Sequence, residues 1–124
     1  MATRTDSTQP QVSVQLTACR PEDARAVFAE LGRLFRPDVE SAPHEVSGLD
    51  DRQHRVWSAE YTVAEDWPLP RPPELRGPVD AELQGSPHAV QLLESALTEL
   101  FTVRTETDVA GDQEEQTRVR LEAR

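Results

Sequence analysis

The chain of 124 residues contains no lysine, and all 13 of its basic residues are arginine. Without lysine the protein can form no Schiff base, has no lysine general base and lacks the lysine of a phosphate-binding P-loop. The exclusive use of arginine is the ordinary result of codon bias in a GC-rich genome. The absence of lysine therefore excludes three kinds of active site and indicates no particular function.

Cysteine is almost as scarce, since Cys19 is the single example. One thiol cannot close an internal disulfide, so we expect a protein of a reducing compartment. Cys19 precedes a predicted helix, where the helix dipole can lower the pKa of a thiol. A catalytic cysteine also needs a base. No pattern marks one of the three histidines as that base, so the sequence predicts an inert loop cysteine.

Long apolar runs are also missing. No segment approaches the roughly 18 apolar residues of a membrane-spanning helix. The N-terminal sequence MATRTDSTQP lacks the apolar centre of a signal peptide. We therefore expect a cytoplasmic protein with no membrane partner, and we expect residues 1–10 to form a disordered tail.

Positive charge is in deficit, because 23 acidic residues stand against 13 basic ones and give a net charge of −10. Phosphate backbones repel such a chain, and neither half has a basic stripe to overcome the repulsion, so we expect no nucleic-acid partner. The histidines also lack the short spacings of structural zinc sites, and the carboxylate pairs fall in predicted turns. The sequence thus predicts no metal, no cofactor and no catalytic residue.

What the sequence does contain is an internal repeat. Residues 12–35 read VSVQLTACRPEDARAVFAELGRLF, and residues 79–101 read VDAELQGSPHAVQLLESALTELF. In both copies alternating apolar residues predict a half-buried strand, and a proline then opens a helix with one apolar stripe. Omission of Cys19 aligns Val12 with Val79, Leu16 with Leu83, Pro21 with Pro87, Leu31 with Leu97 and Phe35 with Phe101.

Two more predicted strands follow each strand–helix pair. In the first half they are a short strand near 44–49 and a longer strand at 54–63. The turn between them should place His44 opposite a residue near position 58. In the second half, residues 103–109 and 117–123 alternate on either side of a polar hairpin loop. Both halves are therefore predicted to be βαββ units.

Residues 64–78, here called the connector, hold five of the ten prolines. Such a segment cannot form a central strand or a helix interior, so it should cross the surface as polyproline II. Trp67 lies in the connector, where a tryptophan either packs back onto the domain or anchors a partner. The length of the connector favours packing back. The PxxP pattern at 70–73 also fits polyproline recognition, although any proline-rich linker yields it by chance.

These elements predict one α+β domain over residues 11–124. One face of each strand is apolar and each helix has a single apolar stripe, so both helices must cover the same side of the sheet. We expect a two-layer α/β sandwich of two tandem βαββ repeats, with about six mostly antiparallel strands. The repeats are 12–63 and 79–123. The alternative is a ferredoxin-like βαββαβ core in which Val79–Leu83 is only loop.

The side of the sheet away from the helices is here called the polar face. Strand parity assigns to it Gln15, Ser58, Glu60, Asp80, Glu82, Arg104, Glu106, Asp108, Arg118, Arg120 and Glu122. A solvated face is the ordinary interpretation of such a surface, but the same surface could dock a basic protein partner. The candidate interaction residues are Glu60, Glu82, Arg104, Arg118 and Arg120, together with Trp67 of the connector.

The tandem βαββ arrangement resembles the duplicated strand–helix–strand–strand modules of the gyrase-inhibitor-like effector-binding domains. The resemblance covers about residues 12–123. It implies a bulky, often cationic ligand between the halves, with an acidic residue such as Glu60 or Glu82 against the cation. Trp57 and Tyr61 are the expected lining of such a cleft.

Two functions follow as expectations. The first is a non-enzymatic protein-interaction or accessory module, regulatory or immunity-like, with a protein partner. The second is a small-molecule effector-binding domain. An exposed sheet edge further predicts a homodimer, although the charges of Arg118, Arg120 and Glu122 should protect the last strand.

Overall fold

The structure, a computed structural model, describes residues 11–37, 44–46, 56–111 and 113–123. It shows the predicted α+β class, with two helices and an antiparallel sheet. No helix in these ranges is long and apolar enough to cross a bilayer. The elements are β1 (Gln11–Thr17), α1 (Pro21–Leu34), β2 (Arg36–Pro37), β3 (His44–Val46), β4 (Val56–Thr62), β5 (Val79–Gly85), α2 (Pro87–Leu100), β6 (Thr102–Ala110) and β7 (Glu115–Glu122).

Both helices begin where the sequence predicts, with a proline as the first helical residue. Proline suits this position because an N–H in the first turn would have no helical partner. Ser86 also caps α2, since its hydroxyl accepts a hydrogen bond from the Ala89 N–H at 3.3 Å. After each helix a phenylalanine, Phe35 or Phe101, donates its N–H to the carbonyl four residues earlier, at 2.8 Å. Local signals thus set the start of both helices, and the last helical hydrogen bond is made by the same residue type in each.

The central strands of the sheet are β1 and β5, which pair antiparallel with each other. The strand order is β2-β4-β1-β5-β7-β6, and β3 also pairs with β4. On one side of the central pair β1 is followed by β4 and then by β2 and β3. On the other side β5 is followed by β7 and then by β6. Val79–Gly85 is therefore a central strand, and the ferredoxin-like alternative, which treats residues 79–83 as loop, does not fit.

The register of the first hairpin agrees with the prediction, because His44 lies opposite Ser58 in the β3–β4 pair. The rest of the predicted short strand, at 47–49, lies outside the described residues. The predicted turn and His54 lie outside them as well.

The core lies between the sheet and the two helices. Buried and more exposed residues alternate along β1, β4, β5 and β7, as the sequence predicts. The largest fully buried side chains include Tyr61, Phe101, Leu16, Leu31, Leu83, Leu93, Leu97, Leu100 and Leu121. Apolar residues from both halves thus form one continuous layer. The alternate side chains of the same strands point to the opposite face of the sheet, away from the helices.

Trp57 and Tyr61 belong to this core and do not line a cleft. Their side chains are only 8% and 0% exposed. The Tyr61 hydroxyl donates a hydrogen bond to the Phe28 carbonyl oxygen of α1 at 3.2 Å, and the two rings are 6.4 Å apart. The expected aromatic lining is wrong because strand parity turns these apolar side chains toward the helices, away from the polar face.

The connector lies against the helices. The Trp67 ring meets the Phe35 ring edge-on, with 5.7 Å between their centroids. Its indole N–H donates a hydrogen bond to Glu99 Oε1 of α2 at 3.3 Å. Further along, the Asp23 carboxylate of α1 accepts hydrogen bonds from the backbone N–H groups of Arg76 at 3.0 Å and Gly77 at 3.2 Å. Both helices therefore hold the connector.

A third attachment lies between these points, where α1 presents an acidic and a basic side chain to the connector. The Glu30 carboxylate accepts the Arg71 N–H at 2.8 Å. The Arg33 guanidinium donates to the Leu69 carbonyl at 2.5 Å and pairs with Glu30 at 2.6 Å. Burial raises the pKa of Glu30, but the hydrogen bonds from Arg33 and Arg71 outweigh it and hold that pKa below its usual value.

Candidate functional site

The polar face is organised in rows of cross-strand neighbours. Three of these rows cross the seam, the β1–β5 pair at which the two halves meet. One row is Ser58, Gln15, Glu82 and Arg118, and the next is Thr17, Asp80, Arg120 and Arg104. Glu60 lies opposite Ser13 in a further row. The five candidate interaction residues of the sheet therefore share one face, as the alternation along the strands predicts.

Arginines of β7 pair with carboxylates of the neighbouring strands. Arg120 Nε lies 3.1 Å from Asp80 Oδ1 and 3.8 Å from Glu106 Oε2. Arg118 Nη2 lies 3.5 Å from Glu82 Oε1. The hydrogen bond and charge of Asp80 raise the pKa of Arg120 above its usual value. Such partly exposed pairs add little stability, so their main effect is to orient the charges of the polar face.

A hollow of about 520 Å³ lies across the seam. The first half contributes residues that include Gln15 and Thr17, and the second half contributes the charged groups. These are the carboxylates of Asp80, Glu82 and Glu106 and the guanidinium of Arg118. Asp80 and Glu106 are not singled out by the sequence, because only the strand register shows that they share a hollow with Glu82. The excess of carboxylates suits a cationic group.

A second hollow, of about 360 Å³, lies toward the other end of the seam strands. Its lining is Gln11, Ser13, Glu60, Gln84 and Glu114. The Gln84 side chain donates a hydrogen bond to Glu114 Oε2 at 2.9 Å. The polar face thus has an acidic hollow toward each end of the seam, and the candidate residues Glu60 and Glu82 belong to different hollows.

Asp108 is not on the polar face, contrary to strand parity. A register shift between Thr105 and Thr107 adds Glu106 as an extra residue of β6. Such a bulge reverses the side-chain alternation beyond it. Asp108 therefore lies opposite Thr117, whose hydroxyl donates to its carboxylate at 2.8 Å. The same reversal explains why Val109 is 69% exposed.

Asp108 meets two further carboxyl groups on the helix side of the sheet. The hydrogen bond with Asp108 raises the pKa of buried Glu115, and burial adds to this shift. The same hydrogen bond, with that of Thr117, lowers the pKa of Asp108. Burial and the charge of Asp108 also raise the pKa of Glu94. Of the two carboxyl groups that share this hydrogen bond, Glu115 therefore keeps its proton to the higher pH.

This pair predicts a pH dependence of stability that Glu115→Gln should reduce. A carboxyl with a raised pKa in the folded state stabilises the fold at low pH and loses that contribution as the pH rises above its unfolded value. The native protein should therefore lose part of its stability between about pH 4.5 and neutrality, above the usual pKa of 4.5. The neutral amide of Glu115→Gln should flatten this decline. Urea unfolding from pH 4 to 8 measures it.

The exposed neighbour offers a matched control, since Glu114→Gln changes the same chemical group one residue away. Its stability profile should follow that of the native chain. An equal decline in Glu115→Gln and in the native protein would contradict the raised pKa of Glu115.

Cys19 is partly buried against the core. Burial raises the pKa of its thiol to about 11, and the charges of Asp23 and Asp80 add to this effect. The lowering that a helix dipole can produce is therefore outweighed, and the thiol is poorly reactive.

The raised pKa predicts slow alkylation of Cys19. Relative to an ordinary value of 9.0, the thiolate fraction at neutral pH should fall about 100-fold. Iodoacetamide should accordingly modify the native chain far more slowly than the chain unfolded in about 6–8 M urea. Mass spectrometry over time gives both rates, and equal rates would contradict the prediction.

Metal binding gains no support from the side-chain arrangement. In the part of the chain that the structure describes, no three His, Cys, Asp or Glu side chains form a group that could hold a metal ion. The polar face and its two hollows are therefore the surface on which a function can be argued. Comparisons of the chain with protein-family models, curated proteins and solved structures give no match.

Proposed function

We propose that the chain is a non-enzymatic protein-interaction module, an accessory protein of a regulatory or immunity-like kind, that docks a basic partner on the polar face. The observation that carries the proposal is the difference between the two sides of the sheet. Two helices and the connector cover one side. The other side has two acidic hollows and is covered by no described element.

Charge complementarity favours a basic partner. The whole chain has a net charge of −10. On the polar face the carboxylates of Glu60, Asp80, Glu82, Glu106 and Glu122 outnumber the guanidinium groups of Arg104, Arg118 and Arg120. Complementary charge mainly raises the association rate and the specificity of a complex. A partner with arginine or lysine side chains can compete with Arg118 and Arg120 for the carboxylates of β5.

A double substitution, Asp80→Asn with Glu82→Gln, tests the proposal. It removes two charges from the seam while it keeps the shape of the side chains, and exposed ion pairs contribute little to stability. The native chain, used as bait in its source cell, should recover a stoichiometric basic protein. Binding of that purified protein should weaken at least about tenfold in the double variant and should weaken further with salt.

Two acidic residues outside the polar face provide the matched control. Glu22→Gln with Glu74→Gln changes the net charge equally, at exposed positions in α1 and the connector. This control should bind like the native chain. Recovery of no stoichiometric partner, or equal binding by both double variants, would contradict docking on the polar face.

We also propose that the two halves are tandem βαββ repeats. The alignment of residues 12–35 with 79–101 supports this, and so do the matching ends of the two helices. The order of strands outward from the seam supports it as well, since β1, β4 and then β2 and β3 correspond to β5, β7 and β6. In this interpretation the hollow of about 520 Å³ lies between two equivalent units.

That position favours a second candidate function, binding of a small cationic effector. The arrangement resembles the gyrase-inhibitor-like effector-binding domains, whose ligands lie between the halves. The volume is within the usual range of ligand sites, and Asp80, Glu82 and Glu106 would meet the cation. A cationic aromatic compound at 100 times its dissociation constant should add about 2.7 kcal/mol of stability. A thermal-shift screen without any stabilising compound would contradict this candidate.

A homodimer through the sheet edge is a secondary proposal. The last strand, β7, lies between β5 and β6 and is not an edge. One edge is β6, where the bulge at Glu106 interrupts the alternation, and β2 and β3 form the other edge. Bulges and charged side chains oppose pairing between edges. Light scattering that gives a monomer at high concentration would contradict the dimer.

A further inference from the structure

The connector carries a second surface, on its side away from the helices. Residues 67–73 read Trp-Pro-Leu-Pro-Arg-Pro-Pro, so each residue up to position 72 is a proline or directly precedes one. Proline fixes its own φ near −65° and forces the preceding residue into an extended or polyproline II conformation. Polyproline II has three residues per turn and a rise of about 3.1 Å per residue. The sequence thus restricts this segment to a stiff rod.

The exposure of the side chains repeats with the same period of three. Every third residue is partly buried, namely Trp67, Pro70 and Pro73. The residues between them are exposed, namely Pro68, Leu69, Arg71 and Pro72. One edge of the rod therefore lies on the domain, and the other two edges face solvent.

The contacts of the rod with the domain use its inner edge and its backbone. Trp67 packs on Phe35 and bonds to Glu99. Arg33 binds the Leu69 carbonyl, and Glu30 binds the Arg71 N–H. Because backbone groups make these last two contacts, the side chains of Leu69 and Arg71 stay exposed, and Leu69 is 82% exposed.

We propose that residues 68–72 are a preformed polyproline II ligand for a second protein, whose groove is lined by aromatic side chains and flanked by a carboxylate. Leu69 and the outer prolines would fill the groove, and Arg71 would meet the carboxylate. The tethers to α1 reduce the conformational entropy that a free proline-rich segment loses on binding. The partner can bind the outer edges while the inner edge remains on the domain. This surface is separate from the polar face.

A panel of recombinant SH3 and WW domains, which have aromatic grooves of this kind, tests the proposal with the full chain. At least one domain should bind the native chain in a titration. Leu69→Ser should weaken that binding at least about tenfold, and Arg71→Gln should weaken it less. The thermal midpoint of Leu69→Ser should stay near the native value, because the removed side chain is exposed.

Val109→Ser is the matched control, since it also removes a large exposed apolar side chain, on β6. It should bind the panel like the native chain. The proposal is overturned if no domain of the panel binds the native chain, or if Leu69→Ser and Val109→Ser bind equally. The variant with Asp80→Asn and Glu82→Gln should keep its binding to the panel, which separates this test from that of the polar face.

Discussion

Gly85→Ala should lower the free energy of unfolding by about 1–3 kcal/mol, although it adds a single methyl group. A Cβ atom at this position would lie 2.5 Å from the Gln11 carbonyl oxygen of β1. That oxygen belongs to the backbone of the adjacent strand, so it cannot rotate away as a side chain can. Either β1 or β5 must shift, and these two strands form the seam.

Two other glycines provide controls, because no atom lies within 4 Å of a Cβ built at Gly32 or Gly77. Gly32→Ala lies inside α1 and should stabilise the protein by about 1 kcal/mol through helix propensity. Gly77→Ala should change the stability little. Urea unfolding of the three variants measures these differences. If Gly85→Ala were as stable as the native chain, the close approach of β1 and β5 at this point would be disproved.

Asp23→Ala should destabilise the protein by about 2 kcal/mol, because it leaves two backbone N–H groups of the connector without their acceptor. Asp23 is 2% exposed, and its carboxylate binds the N–H groups of Arg76 and Gly77. Water can hydrogen-bond to the freed N–H groups only if the connector moves away from α1. The variant should therefore also be cleaved faster by proteases within residues 64–78.

The neighbouring acidic residue provides the control variant for Asp23→Ala. Glu22 is exposed in the same turn of α1, so Glu22→Ala loses a similar favourable charge at the start of the helix without exposing the connector. Asp23→Asn keeps one acceptor oxygen and should fall between the native chain and Asp23→Ala. Equal unfolding and cleavage of Glu22→Ala and Asp23→Ala would rule out a tether at this carboxylate.

The sequence was sufficient for the helices and for the central strands because their signals are local. A proline opens each helix, and alternation along residues 79–83 identifies the strand that a ferredoxin-like core would replace with a loop. Alternation also places Glu60, Glu82 and the arginines of β7 on one face. The outcome for Trp57 and Tyr61 shows the limit of this reasoning. The sequence correctly predicts that their side chains share one face of β4. That face is apolar and packs against the helices, so these side chains line no cleft.

Two features lay beyond local patterns. The bulge at Glu106 adds one residue within Thr-Glu-Thr-Asp, where polar residues alternate equally well in either register. The carboxylates of Asp23 and Glu30 are ordinary helix-surface residues in the sequence, and only the fold reveals that the connector covers them. Their partners are more than 40 residues away in the chain. The spacing of residues that are close in the sequence therefore cannot predict such contacts.

The seam between β1 and β5 has a consequence for any attempt to divide the molecule. Each of these strands gives one hydrogen-bonding edge to its own half and the other to the opposite half. A fragment limited to residues 12–63 would therefore expose a long unpaired strand with one apolar face, the type of edge that recruits further chains. The second half acts as a built-in edge protector for the first, so an isolated half should self-associate.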